Sequence, residues 1–198
     1  RNNVLTVTGG DVDRLRVRAT DSILYTNTVN LAGHTITAGI VSVEERGIIG
    51  NGTIRTMSWD STAGGLLANT NVVLADGGTV KLAPGQSFNR LEIASDDGRT
   101  ASWTMTATGA QAPIVTGLRS GSYLWYLDGV EQGEVKADKD GTIELSYQST
   151  GLHTLEVKPT PMTEAMDGLA AAVEIVVVLA VLGGVLVMLG TAFGRLKF

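Results

Sequence analysis

His34 and His153 are the only imidazoles in this 198-residue chain, and cysteine is absent. Without cysteine there are no thiolate nucleophiles, no disulfides and no cysteine-based zinc sites. The two histidines lie far apart in sequence, each on an expected strand, so a metal centre would have to draw carboxylates from several loops. Glu44 and Glu45 are adjacent, and neighbouring side chains on a strand point to opposite faces, which prevents them from working as a paired acid and base. Asp138-Lys139-Asp140-Gly141 opens like a calcium loop, but Ser149 stands where the bidentate Glu would be needed, so the segment reads as a turn. No G-x-S-x-G, P-loop, H-E-x-x-H or dinucleotide pattern occurs. The expectation is a protein that is not an enzyme, with no catalytic residues, no cofactor and no metal.

Other residues point to contact rather than chemistry. Arg14, Arg16 and Arg18 would share one strand face, either to meet an acidic partner or glycan or as a charged edge that resists aggregation. Trp59, Trp103 and Trp125 are large enough to stack on sugars, but their expected place is a core or an interface. Asn51-Gly52-Thr53 is a glycosylation sequon, making Asn51 a candidate acceptor on an exposed turn. The net charge of −5, with no basic cluster, argues against a nucleic-acid partner.

The elements that must position these residues differ along the chain. Hydrophobic residues make up 43% of it and are concentrated near the C-terminus; upstream, Thr, Ser, Gly, Asn and Val favour strands and tight turns. From Ile175 to Phe193 no residue is charged, and Leu169 to Val173 is apolar as well. At about 1.5 Å per residue such a helix crosses the ~30 Å hydrocarbon layer, with Leu169, Ile175, Leu182, Leu189 and Phe193 in the span. Thr160 suits the cap and Pro161 the first helical position. Acidic Glu164 and Asp167 precede the span and Arg195 and Lys197 follow it, which puts the N-terminal ectodomain outside and the C-terminus in the cytoplasm or a virion interior. Ala180, Gly183, Gly184, Gly190 and Gly194 recur at small-residue spacings suited to helix–helix contact in lipid, and Glu174, just inside the apolar run, either snorkels to the outer interface or meets a neighbouring subunit's helix. A start at Arg1 with no apolar leader fits a processed chain.

Within the β-rich part, Ile36, Ile54 and Val72 recur at eighteen residues and Leu91 follows nineteen later; Leu31, Ile49 and Leu67 repeat at eighteen. Stacked rungs produce this pattern, and four or five are expected over residues 4–95. The phrases Asn30-Leu31-Ala32-Gly33-His34-Thr35-Ile36-Thr37 and Gly50-Asn51-Gly52-Thr53-Ile54-Arg55 resemble rungs of right-handed parallel β-helices. The alternative is a sandwich in which residues 71–74 and 79–82 form a hairpin across Asp76-Gly77. From about residue 100, strands over 101–108, 121–127, 130–137, 142–147 and 152–158 are expected, joined at Asp128-Gly129, Asp140-Gly141 and Thr150-Gly151. Val115-Thr116-Gly117-Leu118, Tyr123 through Gly129 and Gly151 through Val157 resemble fibronectin type III and immunoglobulin-like modules of surface proteins, which implies a spacer or adhesive unit.

The expected fold is therefore mainly β: a short β-solenoid or sandwich over 1–98, a small Ig-like antiparallel module over 99–159, and a membrane-spanning helix with a short basic tail over 160–198. The expected function is a membrane-anchored structural subunit of a repeated assembly, such as a virion envelope or capsid or a prokaryotic surface layer or filament. Its partners would be the lipid bilayer and lattice neighbours of a homo-oligomer. The alternative is a tethered adhesin that binds a glycan or a host receptor.

Overall fold

A computed structural model describes residues 3–18 and 26–170. Thirteen strands account for most of them: β1 Asn3–Thr6, β2 Asp11–Val17, β3 Asn27–Asn30, β4 Thr35–Val43, β5 Gly47–Asp60, β6 Leu66–Lys81, β7 Arg90–Ala94, β8 Ala101–Gln111, β9 Ile114–Thr116, β10 Ser122–Leu127, β11 Val130–Lys136, β12 Ile143–Glu144 and β13 Tyr147–Pro159. The chain divides after Pro159 into two compact units.

The first unit is a β-solenoid of about five turns. Three parallel ladders run along it. One joins β1, β3 and the first parts of β5 and β6. The second takes the start of β2 through β4, β5, β6 and β7 to β9. The third takes the end of β2 through the later parts of β4, β5 and β6 to β8. Long strands such as β5 and β6 serve all three ladders because two corners bend each of them.

Inward side chains stack directly on one another, and these columns form the core. Ile36 pairs with Ile54, Ile54 with Val72 and Val72 with Leu91, and all four are buried. A second column runs Thr56, Leu74, Ile93, Val115 and Ile143, and a third Val41, Trp59, Val80 and Met105. The buried Thr56 hydroxyl, set at a corner, donates within 3.1 Å of the Gly39 carbonyl and within 2.9 Å of that of Ser58.

Several expected details change. The Asp76-Gly77 hairpin does not form: both arms lie in β6, each parallel to β5, and Gly77 with its φ of 72° turns the solenoid's corner. Val29, not Leu31, stands in register with Ile49 and Leu67. Leu31 is buried just past the strand, where a Cβ on Gly52 would meet its own Cβ at 2.5 Å.

Beyond residue 100, β8 and β9 still run parallel to β6 and β7, and the strands added to them are antiparallel. β8 pairs with β13, β13 with β10 and β10 with β11, while β12 pairs antiparallel with β9. Asp128-Gly129 is the expected hairpin turn, both residues having positive φ. Thr150-Gly151 is not a turn: it lies mid-strand in β13, whose pairing with β8 runs unbroken from Tyr147–Gln111 to Val157–Ala101. Asp140-Gly141 does turn, with the Asp138 carboxylate accepting the Asp140 and Thr142 N–H groups at 2.8 and 2.9 Å, but the strand after it pairs with β9 rather than β11.

In the second unit a helix, α1, covers residues 161–170. Thr160 caps it as expected: its hydroxyl oxygen accepts the Thr163 N–H at 3.3 Å, and Pro161 occupies the first position. No helix among the described residues is long and apolar enough to cross a membrane. Leu169 is helical and exposed. The rest of the expected span (Ile175, Leu182, Leu189, Phe193) and the expected helix contacts Glu174, Ala180, Gly183, Gly184, Gly190 and Gly194 lie outside the described residues.

Truncating one stacked side chain tests the columns. Ile54→Ala should cost about 2–5 kcal/mol, while the neighbouring outward Thr53→Ala should stay within about 0.5 kcal/mol, both read from urea unfolding midpoints.

Candidate functional site

Register on the outer face of the second ladder lines up Thr37, Arg55 and Val73 on successive rungs. Together with Met57, Ala94 and Asp96 they line a groove of about 380 Å³. Its floor is largely apolar, and Arg55 and Asp96, both exposed, supply one charge of each sign. Paired strands hold the groove on either side, so its shape is set before anything binds. It offers van der Waals contact along its floor and hydrogen bonding through Thr37, Arg55 and Asp96.

Asp128 and His153 make the closest approach to catalytic geometry. Their contact, His153 Nδ1 to Asp128 Oδ2, is 2.7 Å. His153 Nε2 accepts the backbone N–H of Thr150 at 3.4 Å, so the ring proton sits on Nδ1 and is donated to Asp128. In a catalytic triad the nitrogen far from the carboxylate faces a hydroxyl nucleophile; here it faces the backbone. The pair instead fastens the β10–β11 turn to β13, and Asp128 Oδ1 also accepts the Thr154 N–H at 2.8 Å. The hydrogen bond from His153, then that from Thr154, hold the Asp128 carboxyl below its ordinary value.

His34 is not on a strand. It closes the turn through Ala32 and Gly33, where its N–H donates to the Leu31 carbonyl at 2.8 Å, and it is exposed. Glu44 and Glu45 separate as expected: Glu44 takes the Arg16 guanidinium through two contacts of 2.6 and 2.7 Å, while Glu45 points into solvent. Trp59 and Trp103 are buried in the core, and Trp125 packs on Tyr147 with ring centroids 6.3 Å apart. Asn51 sits exposed at a corner with a φ of 57°, and its side-chain amide donates to Asn30 at 3.3 Å. No group of three or more His, Asp or Glu side chains that could hold a metal ion occurs among the described residues.

Neither the groove nor the Asp128–His153 fastening is announced by a local motif, because each joins residues that only register brings together. The one sequence signal for the groove was the rung interval itself, which puts residue 37 beside 55 and 55 beside 73.

His153→Ala should move the Asp128 carboxyl up toward 3.8, the value it would have without its partners. Because the folded-state value is depressed, the pair stabilises the fold above about pH 3.8 and that contribution is lost as pH falls through the folded value. Carboxyl NMR shifts during an acid titration give the midpoint; an unchanged one would assign the depression to the Thr154 N–H alone.

Comparison of the chain with known protein families, with curated proteins and with solved structures finds no match.

Proposed function

We propose that the chain is a membrane-anchored structural subunit of a repeated surface assembly, of the kind found in a virion envelope or capsid, a prokaryotic surface layer or a filament. The carrying observation is the uncharged run from Ile175 to Phe193 behind a cysteine-free β body. In this reading the run spans the bilayer, the β body stands outside and the basic end at Arg195 and Lys197 stays inside. The solenoid suits such a role because continuous pairing makes a stiff body whose outer faces can meet neighbours without rearranging. Residues 99–159 act as an Ig-like spacer, and Asn51, at its exposed corner, is the glycan acceptor where the host has the machinery.

A second reading, a tethered adhesin for a glycan or host receptor, is favoured by one observation, the preformed groove between Arg55 and Asp96. Arg55→Ala would then weaken binding to a glycan array without changing assembly.

Because the chain has no cysteine, single introduced ones report contacts cleanly. Gly184→Cys in native membranes should give disulfide-linked species on oxidation, and the protein should stay in the membrane pellet after an alkaline carbonate wash. Release by carbonate would overturn the anchor; a chain that remains monomeric under every cross-linker would overturn the assembly. Under glycosylating expression, Asn51→Gln should remove a mass shift of one glycan.

A further inference from the structure

A pocket of about 170 Å³ opens at the start of β7, whereas the Arg55 groove lies beside that strand's end. Phe88, Arg90 and Gln111 line it, together with Ser87, Leu91 and Pro113. Two connections build it: residues 82–89 between β6 and β7, and residues 112–113 between β8 and β9. The longer connection is tied down along its length. The Gln86 carboxamide accepts the Ser61 hydroxyl at 2.7 Å and donates to the Gly65 carbonyl. The Asn89 N–H donates to the Thr70 carbonyl at 2.9 Å, and its side chain to that of Asn71 at 2.7 Å. Phe88 stands against the buried Trp59 with the ring planes 86° apart. The walls are therefore in place before a ligand arrives.

Gln111 is the residue that packing does not explain. It is only 7% exposed, yet its carboxamide makes no hydrogen bond among the described residues. Its amide atoms are not sealed in the core but reach the pocket. A buried polar group left without a partner costs about 1–3 kcal/mol. Other buried polar side chains of the body avoid that cost: the Thr70 and Ser149 hydroxyls donate to the Ile49 and Ala107 carbonyls, each at 2.9 Å. Leucine at position 111 would avoid it too, so the carboxamide points to a partner from outside.

Charge and size narrow that partner. Arg90 is the pocket's charged residue, and Glu92 already takes its Nε at 2.5 Å, so an anion would have to compete with Glu92. A carboxamide both donates and accepts, as a sugar hydroxyl does. The face of an aromatic ring attracts the C–H face of a sugar through its quadrupole. The volume is well below the ~300 Å³ at which sites for larger ligands begin, which leaves room for one ring.

We propose that this pocket binds one neutral sugar residue of a glycan, held by the Gln111 carboxamide and Phe88 with Arg90 beside them. It rests on the adhesin reading above and gives that reading a site separate from the Arg55 groove.

The test uses the full chain in micelles with phosphocholine headgroups, because a sugar detergent would compete. The probes are the methyl glycosides of glucose, galactose, mannose and N-acetylglucosamine, followed by saturation-transfer NMR and by the Gln111 side-chain amide signals. At least one should bind and move those signals. Gln111→Leu should weaken that binding about tenfold while the urea midpoint stays or rises, since an unpartnered amide is replaced by an apolar group. A lower midpoint would show that the carboxamide serves the fold, and unchanged binding would show that it does not touch the sugar; either overturns the proposal. Tighter binding of methyl glucuronoside than of methyl glucoside would overturn the neutral class. Binding that Arg55→Ala abolishes and Gln111→Leu spares would overturn this pocket and leave the adhesin reading standing. If none of the four glycosides binds, the proposal falls; if a glycan array is blank as well, the adhesin reading falls with it.

Discussion

Every inward side chain in this solenoid must find its cover one rung away, roughly eighteen residues further along the chain. A single rung buries almost nothing by itself, since its strands are too short and too far apart to pack on one another. Once Ile36, Ile54, Val72 and Leu91 lie in register, each apolar side chain gains neighbours above and below, worth about 1.5–3 kcal/mol for one that becomes fully buried. Register is therefore the quantity on which everything else rests: a slip of one residue would turn each column outward and expose it to water.

Corners must respect that register, and they dictate the small residues. A Cβ on Gly50 would fall 1.8 Å from the Ala68 carbonyl oxygen, so the backbones of neighbouring rungs can approach there only because glycine stands at that position. Asn51 and Asn69, eighteen residues apart, take the same left-handed conformation with φ of 57° and 51° on consecutive rungs. Thr70, just past the second of these, donates its buried hydroxyl to the Ile49 carbonyl at 2.9 Å. The interior makes one concession to size. The indole N–H groups of Trp59 and Trp103 find no acceptor among the described residues. Each costs about 1–3 kcal/mol, against which stands the burial of a very large side chain, for Trp59 with Phe88 set edge-on at 5.1 Å.

Much of this was legible in the sequence because the repeat is written in it. The Ile36 column was readable directly, as was the Asp128-Gly129 hairpin, where both residues can adopt positive φ at little cost. What failed to show is instructive. Thr150-Gly151 looks like a turn, but its residues gain a full ladder with β8, and pairing on that scale overrides a local preference. Choosing Leu31 over Val29 for the Ile49 column followed a strict eighteen-residue count; the turn through Ala32 and Gly33 makes the passage from Val29 to Ile36 two residues longer than that from Ile49 to Ile54, and the register shifts with it. Asp128 and His153 could not be paired beforehand, since nothing local ties a turn residue to a strand residue twenty-five positions on. The groove containing Arg55 and Asp96 is likewise a product of stacking rather than of any motif.

A parallel coil cannot end itself, because its last rung always leaves an inward face bare. This chain solves the problem at one end by reversing direction: β12 on β9 and β13 on β8 convert parallel ladders into antiparallel ones, and the sheet then runs out through β10 to an irregular, acidic final strand. Among the described residues the other end shows no such reversal, and Leu5 and Val12 are exposed in columns whose next members are buried.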